Sequence, residues 1–153
     1  MYRVLKALIA LLAIAVLCLL AFRASLSSQD QTEKPKKHRA AAYEECSKEC
    51  AECQRVCDAC ARHCSIMLAE GGKKEYAIAL VYCLDCAEHC GAAARITARE
   101  GLLSDLICKA CAEACSRCAE YCDYFPKDEH LKKCAEECRK CEKACGKLLM
   151  EER

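Results

Sequence analysis

The sequence predicts an all-α protein, an antiparallel up-down four-helix bundle with a cysteine-lined core, preceded by an N-terminal hydrophobic helix. Three observations carry this. Gly71-Gly72, Gly101 and Pro126 divide the chain after residue 40 into four segments of helix-forming composition. Alternating strand patterns are missing. The cysteines of each segment recur every three or four residues, the period of one helical stripe.

The first 39 residues differ from the rest. Arg3 and Lys6 precede an unbroken apolar run from Ala7 to Phe22. Residues 1–23 therefore read as a signal peptide or a membrane anchor through residues 4–22, both readings staying open. Either one predicts an exported location, periplasmic or extracytoplasmic. No twin arginine is present, and Cys18, inside the run, is set apart from the other cysteines. Residues 24–39 are polar and charged, with Pro35 among them, and read as a linker. The bundle is expected over 40–153. Short connections between its helices make neighbours antiparallel, and Ser104 and Asp128 are the expected N-caps of the third and fourth helices.

The stripe holds Cys46, Cys50, Cys53, Cys57, Cys60 and Cys64 in the first helix, and Cys83, Cys86 and Cys90 in the second. Cys108, Cys111, Cys115, Cys118 and Cys122 follow in the third, then Cys134, Cys138, Cys141 and Cys145 in the fourth. All eighteen are predicted to face the bundle centre. Thiols fill less volume than leucine, and a large-to-small core change costs about 2–5 kcal/mol. So many small side chains on one stripe imply that something else occupies the interior. Disulfides are one alternative, since export leads to an oxidising compartment. Neighbouring side chains on one helix, however, project nearly parallel, which is poor for the S–S dihedral.

Metal binding suits the pattern better. Sixteen cysteines form Cys-x-x-x-Cys pairs: 46/50, 53/57, 60/64, 86/90, 111/115, 118/122, 134/138 and 141/145. Residues four apart on a helix share a face, and two or three thiolates per ion suit soft, low-coordinate Cu(I). Zinc and iron–sulfur sites draw instead on loop segments with other spacings. The count of ions stays open between one per pair and bridged clusters approaching one per sulfur.

From about residue 40 onward, the repeated Cys-x-x-x-Cys on four successive helices resembles the copper storage proteins. That resemblance implies storage of multiple Cu(I) ions per chain without catalysis. It also implies a bundle that folds before metal arrives, and association of bundles, commonly as tetramers. Copper ions are then the partner, exchanged with a copper-requiring enzyme or a copper donor. Two departures stand out: the twin-arginine signal of some exported members is lacking, and helix two carries no cysteine at Ala93, Ala94 or Thr97.

Continuing the stripe outward, Met67 lies three residues past Cys64 and His130 four before Cys134. Both are copper ligands by type, and chain direction puts them at the same mouth, as metal ligands that admit ions to the thiols. His63 and His89, each one residue before a stripe cysteine, are expected sideways on the surface. Tyr43 and Tyr76 fall on the stripe as lids. Helix two, apolar nearly all round from Tyr76 to Leu84, is predicted to contact another subunit. The near-balance of 24 basic and 23 acidic residues argues against a nucleic-acid partner. With no nucleophile–base set and no phosphate loop, an enzyme is not expected. A thiol-redox or disulfide-stapled helical module is the alternative.

Overall fold

The computed structural model describes residues 38–151; residues 1–37 and the last two lie outside them. Four helices follow one another: α1 over 38–69, α2 Glu75–Thr97, α3 Ser104–Cys122 and α4 Glu129–Glu151. Turns of five or six residues join them. α3 packs on both α2 and α4, and α1 closes the bundle, with Cys46 Sγ 3.7 Å from Cys108 of α3 and from Cys145 of α4.

Helix α1 already includes residues 38 and 39, which the sequence suggested as linker. Ala40, Ala41 and Ala42 let the helix run back, and the Arg39 guanidinium lies 5.7 Å from the Tyr43 ring centroid, one turn on. At its other end α1 stops in a Schellman turn. Gly72 N–H donates to Met67 O (2.8 Å), Gly71 N–H to Leu68 O (3.1 Å), and Gly71 takes φ +78°. The same bond pattern ends α2, where Gly101 N–H donates to Ile96 O (3.0 Å) and Glu100 N–H to Thr97 O (2.9 Å). There the left-handed residue is Glu100 (φ 48°), one before the glycine.

Asp128 caps α4 as expected: its Oδ1 accepts from His130 N–H (3.0 Å) and Leu131 N–H (3.4 Å). Ser104 does not cap α3. It is the first helical residue, and its hydroxyl donates back to Gly101 O (2.6 Å) because the preceding turn brings that carbonyl within reach.

The interior is made largely of cysteine and alanine, with most of its bulk at the ends. Leu131 and Leu148, both fully buried, bracket the α4 cysteines at three residues' distance on either side. Tyr43 and Val56 of α1 and Tyr76 of α2 complete the large buried side chains.

Candidate metal centre

All eighteen cysteines from Cys46 to Cys145 are buried free thiols. Within a helix, partners four apart lie 3.9 Å apart, as in Cys46–Cys50, Cys53–Cys57 and Cys86–Cys90. Contacts between helices are as short or shorter: Cys50–Cys141 and Cys90–Cys115 at 3.5 Å, Cys50–Cys145 at 3.6 Å, Cys57–Cys134 and Cys86–Cys115 at 3.7 Å. The sulfurs thus form a mesh rather than separate pairs. Groups of four whose sulfurs all lie within 4.8 Å of one another succeed each other along the axis. Cys60/83/122/134 lies toward the mouth, Cys53/57/86/138 and Cys53/86/90/115 in the middle, and Cys50/111/141/145 toward the far end.

A three-coordinate metal with metal–sulfur bonds of about 2.3 Å holds its sulfurs roughly 4 Å apart. Sulfur contacts of 3.5–3.9 Å come close to that spacing. Contacts this long are also far from the roughly 2.05 Å of a disulfide.

Mutual S–H···S bonding shifts the thiols in opposite directions. Cys115 is pushed up by its bonds, first with Cys111, while Cys53, Cys86 and Cys111 are held down, each chiefly by its bond with Cys115. A soft metal ion binds the thiolate, so thiols held down in this way are the readier ligands. At the mouth Cys64 is lowered to about 4 by bonds with Cys60 and then Cys83, with the charge of His63 adding to them. Its neighbour Cys122 is lowered to about 6, first by Cys118.

The two ends of the tube differ. At the mouth a cavity of about 750 Å³ opens between the end of α1 and the start of α4, lined by His63, Met67, Tyr76, Phe125, Asp128 and His130 among others. Met67 is half-buried there and His130 stands exposed on the rim. His63 is not the surface residue expected. Its ring stacks on His130 (centroids 4.2 Å apart, 17° between planes), and its Nε2 lies 2.8 Å from Asp128 Oδ2. A carboxylate only accepts, so Nε2 carries a hydrogen in this contact.

Tyr76 O–H donates to the same Oδ2 at 2.8 Å, and burial followed by that bond pushes its phenol up to about 12. Burial alone would raise the Asp128 carboxyl, but the bonds from His63 and Tyr76 outweigh it and hold the group below its usual range. Sequence reasoning missed His63 because it judged α1 alone. The sideways face of α1 abuts the start of α4 at this level, and His63 lies one turn before Met67, which was a usable signal. His89 is exposed, as expected from its place beside the stripe.

The opposite end is closed. Ala42, Tyr43, Thr97, Ser104 and Leu148 are all buried there, with Thr97 Oγ1 donating to Ala93 O (2.8 Å). α2 supplies no thiol at this level, so its last turns face the tube with Ala93, Ala94 and Thr97.

The model of the copper storage protein family matches residues 38–150. The chain belongs to that family. Solved structures agree. One that follows copper loading to a cytosolic copper storage protein from Streptomyces lividans is 30% identical, with a TM-score of 0.67, over 74% of this chain and 97% of that one. A second, from the same organism and loaded with 10 copper equivalents, is 32% identical with a TM-score of 0.64, over 72% of this chain and 85% of that one. The Cu(I)-bound copper storage protein BsCsp3, at 23% identity and a TM-score of 0.63 over 71% of this chain and 98% of that one, shows the shared fold. No curated protein matches this copper storage chain.

These relatives correct the expectation of export. The Streptomyces lividans protein is cytosolic, and a core of reduced thiols is at home in a compartment that keeps thiols reduced. Residues 1–23, which suggested a signal peptide or anchor, lie outside the described residues.

Proposed function

We propose that the tube stores Cu(I), holding multiple ions per chain through the eighteen core thiols, without catalysing a reaction. The observation that carries this reading is the continuous sulfur mesh, in which contacts between helices are as short as those within them. Such a mesh favours thiolates that bridge ions over one isolated ion per Cys-x-x-x-Cys pair, and so favours the larger capacity. Met67 and His130, joined by His63, act as weaker ligands through which ions reach the thiols. Each thiol loses its proton on metallation, so uptake weakens as pH falls.

An anaerobic Cu(I) titration of the reduced chain against a coloured Cu(I) chelator tests the reading. Tight uptake well above eight equivalents supports bridged storage; uptake of one or two overturns it in favour of a redox or disulfide-stapled module.

The chains associate with one another in this reading. Ile78, Val81 and Leu84 keep about half of their surface on the outer face of α2, at 50%, 55% and 47%. They recur every three residues as one apolar strip, a face for a second copy of the same helix. Sedimentation of Val81→Lys gives a smaller species than the unmodified chain; equal sizes would remove the strip from the interface.

A further inference from the structure

Sixteen of the eighteen thiols have no exposure; Cys60 and Cys86 keep 1% each. Each marks a place where a surface groove reaches the tube wall. The groove at Cys60, between α1 and α4, runs to Glu129 and His130 and so belongs to the mouth. The groove at Cys86 lies on another seam, between α2 and α3. It has a volume of about 390 Å³ and is lined by Tyr82, Asp85, Cys86, His89, Ala114 and Glu113 among others.

This seam is open for a simple reason. Ala110 and Ala114 of α3 offer only methyl groups to α2, whereas toward the mouth the same seam is shut by Tyr82 stacked on Tyr121 (5.1 Å, 24°). His89 stands at the groove with its ring already set. Nδ1 lies 2.8 Å from Asp85 O. A carbonyl only accepts, so Nδ1 carries the hydrogen and Nε2 keeps the lone pair. Cys86 lies one helical turn away on the same helix. Glu113, paired with Arg117 at 2.7 Å, and Asp85 supply the carboxylates of the rim.

Behind Cys86 is the middle of the tube. Its sulfur is 3.7 Å from Cys115 and 3.9 Å from Cys90 and Cys138, and it takes part in two of the central groups of four. We propose that this groove is a second, lateral port for Cu(I), in which His89 Nε2 captures the ion at the surface and Cys86 takes it into the central thiols. In the transfer the Cu–N bond to His89 breaks as the Cu–S bond to Cys86 forms, and the thiol proton leaves to water. Copper remains Cu(I) throughout. Ions reach the central thiols without passing the mouth, so filled mouth sites do not seal the interior. The proposal rests on the copper-storage reading.

The test is stopped-flow uptake of Cu(I), supplied as its bicinchoninate complex, by the full, reduced chain. In a chain whose mouth carries His63→Ala, Met67→Leu and His130→Ala, uptake continues at a reduced rate. Adding His89→Ala to that background slows it further by about tenfold, the scale of loss on removing a group that supports a metal site. Ala114→Leu, which fills the groove without touching a ligand, has the same effect. A mouth-altered chain that takes up no copper, or one indifferent to both further changes, overturns the port. Failure of the unmodified chain to take up Cu(I) overturns the storage reading and the port with it.

Discussion

The two ends of the tube continue the same helical stripe and finish it in different ways. At the mouth the stripe runs out into Met67 and His130, with His63 pinned to Asp128 beside them. At the far end it runs out into Tyr43 and Leu148, both buried, with Thr97 and Ala93 filling the place of a fourth row of thiols. A single repeat therefore builds a directional object: the few residues just outside the thiol rows decide which end meets solvent. Substitutions at the ends should separate stability from loading.

Leu148→Ala should act on stability most, lowering the unfolding free energy of the metal-free chain by about 2–5 kcal/mol. Denaturant unfolding of the reduced chain reads this, and a Cu(I) uptake rate that fell with it would blur the contrast between the ends. The mouth substitutions His63→Ala, Met67→Leu and His130→Ala together should slow Cu(I) uptake about tenfold, while Leu148→Ala leaves the rate within error. Equal rates for the two variants would break the contrast.

Asp128→Ala should cost about 1–2 kcal/mol, because it removes the α4 cap along with the acceptor for His63 and Tyr76. The folded-state carboxyl is held below its usual range, so this stabilisation is complete above about pH 4 and is lost as pH falls through the lowered value. The difference between Asp128→Ala and the unmodified chain should accordingly shrink in acid; a gap that persists at low pH would mean that the carboxylate is not its source. Smallest of all, Glu100→Gly should raise stability by up to about 1 kcal/mol by relieving a left-handed residue. A measured loss would show that the Glu100 side chain does more than fill the turn.

Much of this was legible in the sequence because a helical stripe needs only spacing. The cysteine positions gave the four faces that meet, and an aspartate two residues past Pro126 marked the cap at Asp128. Ser104 and His63 were misjudged for a shared reason: each depends on a neighbour supplied by another part of the chain. The carbonyl of Gly101 reaches Ser104 only after α2 has closed its turn, and Asp128 reaches His63 only once α4 lies against α1. The apolar run from Ala7 to Phe22 was plain to read, but the compartment inferred from it drew on nothing in the bundle.

The missing thiols of α2 have a mechanical consequence. Bridging ions act as rivets between helices, and rivets need sulfur on both sides. In a filled tube α1, α3 and α4 would be fastened to one another from Cys64, Cys122 and Cys134 down to Cys46, Cys108 and Cys145, while α2 would be fastened only from Cys83 to Cys90. Its last two turns, resting on Ala93, Ala94 and Thr97, would gain no such fastening, so their amide exchange would slow less on loading than that of the other three helices.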